Sequence, residues 1–253
     1  MTATTCAPEL KTVFREGWCN TTRVDNWVNR VTCGEFEDAG CRRAWLDALR
    51  VATGDAHKET ALDVGTGPGT IAQLWAELGW KATGVDFSTT MIAAGRRLAS
   101  AKKMEITFVE GDAEEPPFPK AQFVVVSSRL VLFTLPHPGR AVHRWARLLK
   151  PGGRMVLIGE AMPPDADKQP APPPAKPRAG GWQPDERYRE ALSKLPFMRH
   201  TPETLSVVME AAGLRDVHAV DMTAVMAART ALRARDAEAS AFQSTPYLLV
   251  GTV

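Results

Sequence analysis

The run Leu62-Asp63-Val64 breaks into Gly65-Thr66-Gly67-Pro68-Gly69-Thr70 and then into an apolar-periodic stretch, so a strand feeds a helix through three glycines. Glycine lets the backbone turn tightly and lets a ligand approach with no Cβ in the way. The first strand-to-helix turn of a doubly wound sheet is also a crevice where ligands bind. Taken alone, such a turn is weak evidence, since it can also be a merely tight connection. A dinucleotide turn has the spacing Gly-x-Gly-x-x-Gly; here Gly69 comes one residue early and Thr70 holds the expected place. No Lys-Ser or Lys-Thr follows, which speaks against the phosphate cradle of a nucleotide hydrolase. Two further carboxylates close strand-like runs. Asp86, in Gly84-Val85-Asp86-Phe87-Ser88, can accept from both hydroxyls of a ribose, or it N-caps the next helix, as Ser88 also could. Asp112, in Glu110-Gly111-Asp112-Ala113-Glu114, can accept from an exocyclic amine or sit in a turn.

These side chains need a scaffold that brings strand ends together. Short apolar runs at 60–64, 82–86, 106–110, 123–127 and 155–159 alternate with helical patterns, the signature of a parallel sheet wound by helices. Ile71, Leu74, Trp75 and Leu78 form one helical stripe; Val142, Trp145, Leu148 and Leu149 form another, and both read as core faces. Lys150-Pro151-Gly152-Gly153 ends the second helix, since proline cannot continue it and glycine supplies the angles that enter the next strand. Upstream, Trp45, Leu46, Leu49 and Ala52 mark a helix expected over the sheet edge. Residues 1–55 thus form a helical cap, and residues 56–162 the core. Seven prolines between 163 and 177, then Gly180 and Gly181, make 163–200 a loop, linker or lid. Thr201 and Pro202 open a helix carrying Leu205, Val208, Met209 and Ala212, ended by Gly213. Runs at 217–222 and 247–253 read as closing strands, with a helix over 225–241 between them, so that 201–253 completes the sheet.

The 253 residues suit one α/β domain with appended elements, and 44% hydrophobic with 24% charged residues falls in the globular range. A net charge of +2 gives no field toward nucleic acid or an anionic membrane. No run approaches a membrane span and the N-terminus carries no basic-then-apolar leader, so a cytoplasmic protein is expected. Cys6, Cys19, Cys33 and Cys41 lack zinc-site spacing and read as free thiols; no metal is expected.

Taken together, Leu62–Thr70, Gly84–Ser88, Gly111–Ala113, Phe123–Pro138 and Leu148–Gly153 resemble class I S-adenosylmethionine-dependent methyltransferases, in particular the small-molecule type related to quinone-biosynthesis and natural-product enzymes. The resemblance covers residues 59–159 well and 201–217 moderately. It implies a Rossmann-like, doubly wound sheet of seven strands, mostly parallel with the last antiparallel. It also implies that S-adenosylmethionine lies over Gly65, Thr66, Gly67 and Gly69, with Asp63 at its amino acid end. By the same match Asp86 grips the ribose, Phe87 flanks the adenine, Asp112 takes the adenine amine, Ala113 offers its backbone amide and Met91 also binds the cofactor. Ser128 and Arg129 border the methyl group and acceptor. Asn26-Trp27-Val28-Asn29-Arg30 resembles the family's N-terminal Trp and Arg near the cofactor carboxylate.

Methyl transfer to an O, N, S or activated C of a small metabolite needs alignment more than a triad, because orientation alone supplies roughly 7–11 kcal/mol. A base would add about 10²–10⁴-fold. His137 and His200 are candidates, or ordinary surface and capping histidines; Tyr188, with Trp182 and Arg187, either lines the acceptor pocket or packs in a lid helix. Arg129 is a fourth candidate, and no base is assigned. The rival readings are a cofactor-binding protein without methyl turnover and a nicotinamide oxidoreductase, the latter disfavoured by the early Gly69.

Overall fold

The alternation of apolar runs and amphipathic stripes becomes a wound sheet in the computed structural model, which describes residues 7–56, 58–161, 182–198, 200–236 and 244–253. The proline-rich stretch expected over 163–177, Gly180 and Gly181, Cys6, and the end of the helix expected over 225–241 lie outside the described residues.

The cap is α1 (Ala7–Cys19), α2 (Thr21–Trp27), a π-helical turn (Val28–Glu35) and α3 (Ala39–Thr53). The core follows as β1 (Thr60–Val64), α4 (Thr70–Glu77), β2 (Lys81–Asp86), α5 (Thr89–Ala101), β3 (Ile106–Glu110), β4 (Phe123–Arg129), α6 (Pro138–Leu148) and β5 (Leu149–Ala161). Then come α7 (Glu186–Ser193), α8 (Pro202–Ala211), β6 (Arg215–Val220), α9 (Thr223–Arg235) and β7 (Thr245–Thr252). The seven strands lie in the order β3-β2-β1-β4-β5-β7-β6. β1 to β5 pair in parallel, and β7 runs antiparallel to both neighbours, β5 and β6. The expected fold class therefore holds, and the last strand is inserted between β5 and β6 rather than placed at the sheet edge.

Apolar layers cover both faces, as continuous hydrophobic strands require. On one face Trp45, Leu49 and Trp75 pack with Ile71, Val125 and Val156; on the other Trp145, Leu148 and Met209 pack with Leu62, Val126 and Met155. Trp45, Trp75 and Trp145 are wholly buried. A buried indole still needs a partner for its N–H, and each has one: Glu35 Oε1 at 2.7 Å, Ser127 Oγ at 2.9 Å and Ala113 O at 2.7 Å. The core helices thereby hold groups next to the strand ends.

Local signals explain most boundaries. Thr201 Oγ1 accepts from Thr204 N with Pro202 at the first helical position, and Ser88 Oγ accepts from Met91 N to cap α5. Lys150 to Gly153 does not separate helix from strand; β5 begins at Leu149 and absorbs the turn as a bulge. Phe123 pairs with Leu149 and Val125 already pairs with Arg154, while Gly152 takes φ +75. β6 begins and ends two residues earlier than the apolar pattern suggests, and α3 packs on α9 as well as on the sheet. Among the described residues no helix is long and apolar enough to cross a membrane. Cys19, Cys33 and Cys41 are free, and burial pushes the Cys41 thiol up to about 12.

Candidate active site

Parallel pairing in register brings successive strand ends to one edge: Val64 lies beside Val85 and Ser128, and Asp86 beside Glu110. The turns that leave β1, β2, β3 and β4 open there onto a cleft of about 970 Å³, part of it open to solvent. Gly67, Asp86 and Asp112 all line it. Such a cleft at the carboxyl ends of the strands is where open α/β sheets bind ligands.

The glycine turn is shaped by its backbone. Gly65 has φ +66 and Gly67 φ +55, the left-handed region that other residues enter at a cost. A side chain at Gly65 would collide with Val131, whereas Gly67 has room and its N–H donates to Asp86 Oδ2 at 2.9 Å. Gly69 lies off the cleft; a Cβ there would meet the Phe108 ring at 2.7 Å, so this glycine serves helix-to-sheet packing.

The two buried aspartates are held differently. Asp86 accepts from Gly67 N and, through Oδ1, from Ser88 N at 2.9 Å. Asp63 accepts from Thr66 Oγ1 at 2.7 Å and from Ser127 Oγ at 2.9 Å, and Ser127 in turn accepts from Trp75. Burial pushes each carboxyl up to about 6, against those hydrogen bonds. Each oxygen retains a lone pair, so both carboxylates can still accept from a ligand.

Asp112 is engaged from the cap. Lys11 Nζ lies 2.6 Å from both Asp112 Oδ2 and Glu114 Oε2. Lys11, Phe14 and Trp18 share one face of α1 at i, i+3 and i+7 and line the cleft. Trp18 O accepts from Ser88 Oγ and Cys19 O from Thr90 Oγ1, which fixes the end of α1 on the start of α5. Sequence reasoning missed Lys11, Phe14 and Trp18, although that helical spacing was a signal.

The structure gathers Asp63, Gly65, Thr66, Gly67, Asp86, Phe87 and, with them, Met91, Asp112, Ala113, Arg129 and Trp27. It does not bring Ser128, whose buried hydroxyl donates to Val64 O at 2.9 Å, nor Arg30, which is exposed on the π-helical turn. Pro136 lines the cleft while His137 faces Glu114, its Nδ1 3.3 Å from Oε2. His200 Nδ1 meets the Phe197 carbonyl at 2.8 Å, an acceptor, so in the neutral ring Nε2 accepts from the Tyr247 hydroxyl at 2.8 Å. Tyr188 packs edge-on against Phe14 and Trp182 at 5.2 Å and does not reach the cleft. After Arg129 the wall is largely apolar through Leu130, Val131, Phe133, Leu135 and Pro136, with Thr134 among them donating its hydroxyl to Val131 O. Leu130 sits at φ +58, a strained angle for a leucine that sends this segment back over the glycine turn.

Fold and cleft together define a doubly wound α/β protein with three strand-end carboxylates around a glycine turn. A family model described as Methyltransferase domain matches residues 62–157, from β1 into β5. The ubiquinone/menaquinone biosynthesis C-methyltransferase UbiE of Rhizobium etli is 30% identical over 206 residues, 75% of this chain and 78% of that one. The demethylmenaquinone methyltransferase of Renibacterium salmoninarum is 31% identical over 118 residues, which is 47% of this chain and 48% of the relative. The match thus spans about half the length of several curated relatives. Among solved structures, phosphoethanolamine N-methyltransferase 2 of Haemonchus contortus superposes with TM-score 0.69 at 18% identity, over 96% of this chain and 59% of that one. The [4+2]-cyclase SpnF superposes with TM-score 0.62 at 20% identity, over 94% of each. The chain belongs to the class I S-adenosylmethionine-dependent methyltransferase family.

Proposed function

We propose that this protein binds S-adenosylmethionine in the strand-end cleft and transfers its methyl group to a small, largely apolar acceptor. The observation that carries the reading is the convergence of Gly67, Asp63, Asp86 and Asp112 on one cleft. The cleft fits an adenosine: Asp86 offers two buried carboxylate oxygens at a strand end, suited to a ribose diol, and Gly67 leaves open space beside it. Phe87 and Met91 supply apolar surface for a base, and Asp112 an acceptor for its exocyclic amine. Asp63, anchored through Ser127 and Thr66, is placed for an ammonium group, with Trp27 on the same wall.

When bound, the cofactor supplies an electrophilic sulfonium methyl. The chain's own work is to hold an acceptor in line and keep water out. Leu130, Val131, Phe133, Leu135 and Ile71 make an apolar chamber for that purpose, and orientation there is worth roughly 7–11 kcal/mol. His200 and Tyr188 serve packing in this reading, and His137 ties the loop before α6 to Glu114. Residues 56–162 carry the cofactor; the cap of 1–55 and the segment 163–200 set acceptor choice, and 201–253 completes the sheet. We place the reaction in the cytoplasm, on a small molecule and not on nucleic acid, in keeping with the net charge of +2.

Incubation with S-adenosylmethionine and a panel of quinols and simple phenols, read by release of S-adenosylhomocysteine, tests this. Turnover with at least one apolar acceptor is expected. Tight cofactor binding with no release across the panel would favour a non-transferring use of the same cleft.

A further inference from the structure

A second cavity, of about 540 Å³ and partly open to solvent, lies where α6 ends and β4 begins. It sits at the edge of the sheet where the parallel strands start, opposite the cofactor cleft, and the two cavities share no lining residue. Arg144, Arg147 and Leu148 stand at i, i+3 and i+4 on one side of α6. Glu115, Phe118 and Lys120, from the segment that leads into β4, line the cavity with them. Leu148 is buried and Phe118 half-buried, packed edge-on against Phe123 with ring centroids 5.3 Å apart, so the floor is apolar.

The rim is cationic, and the fold gives two of its cations no other duty. Basic side chains in the last turn of a helix can serve its terminal carbonyls. Here the Arg147 and Leu148 carbonyls already accept from Ala121 N at 3.0 Å and Gln122 N at 2.9 Å. Those bonds hold Ala121 at φ +53, an angle that strains a residue with a Cβ, and so keep Lys120 beside the end of α6. Lys120 and Arg147 are exposed, and neither makes an ion pair among the described residues. Arg144 does: its Nη2 lies 2.7 Å from Glu115 Oε1, while Arg140 Nη2 lies 3.5 Å from Oε2 of the same carboxylate. Glu115 thus shows what this rim accepts, an anionic oxygen. Arg140 can retain it when another anion takes its place on Arg144.

We infer that this cavity is a binding site for a phosphate monoester with an apolar body, its phosphate on Lys120, Arg144 and Arg147 and its body against Phe118 and Leu148. A phosphate monoester carries a charge of about −1.5 to −2 near neutral pH and three strong acceptor oxygens. That suits two unpaired cations and a third that is only shared, and guanidinium groups meet phosphate oxygens in a two-pronged fork. The apolar floor favours an ester over the bare ion.

The test titrates 1-naphthyl phosphate into the full-length protein by calorimetry at low salt, with inorganic phosphate as the comparison. One-to-one binding is expected, about tenfold or more tighter than inorganic phosphate because the ring system is buried. Lys120→Gln/Arg147→Gln should weaken it by about tenfold or more, with circular dichroism and S-adenosylhomocysteine affinity unchanged. No binding, binding no tighter than that of inorganic phosphate, or equal affinity in the double variant overturns the inference. Displacement of the probe by S-adenosylhomocysteine would place it in the cofactor cleft and overturn the inference as well. Sedimentation with phosphatidylcholine vesicles, with and without phosphatidic acid, separates the two sources of such a group. Capture of the wild-type protein but not the double variant by phosphatidic acid assigns a lipid headgroup, and no capture beside tight naphthyl phosphate binding assigns a free ester.

Discussion

Asp86 joins the fold's local chemistry to its ligand chemistry. It satisfies the amides of Gly67 and Ser88, which shape the turn and start α5, and it faces the cleft with lone pairs to spare. Asp86→Ala is therefore expected to weaken S-adenosylhomocysteine binding by about 1.5–3 kcal/mol for each lost bond to a charged acceptor; unchanged affinity by calorimetry would remove Asp86 from the site. Asp63 and Asp86 also predict a pH dependence with two opposite signs. Burial raises both to about 6, above the ordinary aspartate value of 3.8, so the folded protein holds protons that the unfolded chain has released. That contribution to stability is fully present below 3.8 and lost as pH rises through about 6. Cofactor affinity runs the other way, since ionised Asp86 is the better acceptor, and should fall as pH drops through about 6. Urea unfolding and calorimetry at pH values across this window check both signs; parallel trends would contradict the assignment. At this scale the sequence was legible where spacing is local: Gly65 to Gly69, Asp86 and Asp112 stand at strand ends that apolar runs mark out. Lys11 was not, because its partnership with Asp112 spans 101 positions and depends on how α1 lies over the sheet.

Elements show why stripes and sites are not separate matters. Trp75 and Trp145 read from periodicity as core faces, and they are; their N–H directions, which periodicity does not encode, also tie Ser127 and Ala113 into place. Trp75→Phe keeps most of the apolar burial but leaves Ser127 short of a donor beside Asp63. The expected cost is about 1–3 kcal/mol in urea unfolding, and a change inside about 0.5 kcal/mol, the range of a neutral surface substitution, would show that the indole bond contributes nothing. The π-helical turn explains a misplacement. On an α-helix Trp27 and Arg30 would share a face, three residues apart. Val28–Glu35 winds more widely, with hydrogen bonds such as Phe36 N to Val31 O, so Trp27 faces the cleft and Arg30 faces solvent. Nothing in the residue types announces that wider winding. Ser128 lies off the cleft for a related reason: alternation along β4 puts Arg129 and Ser128 on opposite faces, and Ser128 turns to the Val64 carbonyl.

For the whole molecule, the wound parallel sheet was readable from the alternation of strands and helices, and the antiparallel last strand from the family resemblance; its position between β5 and β6 was not, since neither the alternation nor residue types encode strand order. The same fold is found in solved structures named for different chemistry, a cyclase among them, so fold alone does not fix the reaction. Among the described residues, the cleft of this chain carries three strand-end carboxylates, with Arg129 and the largely apolar segment from Leu130 to Pro136 beside them. A crystal structure with S-adenosylhomocysteine bound is the most direct measurement of that division. The account predicts ribose hydroxyls on Asp86, adenine between Phe87 and Met91 with its amine at Asp112, and the sulfur facing Arg129 and the segment from Leu130 to Pro136. Density for the ligand anywhere else, or an adenine turned away from Asp112 with the ribose off Asp86, would contradict it.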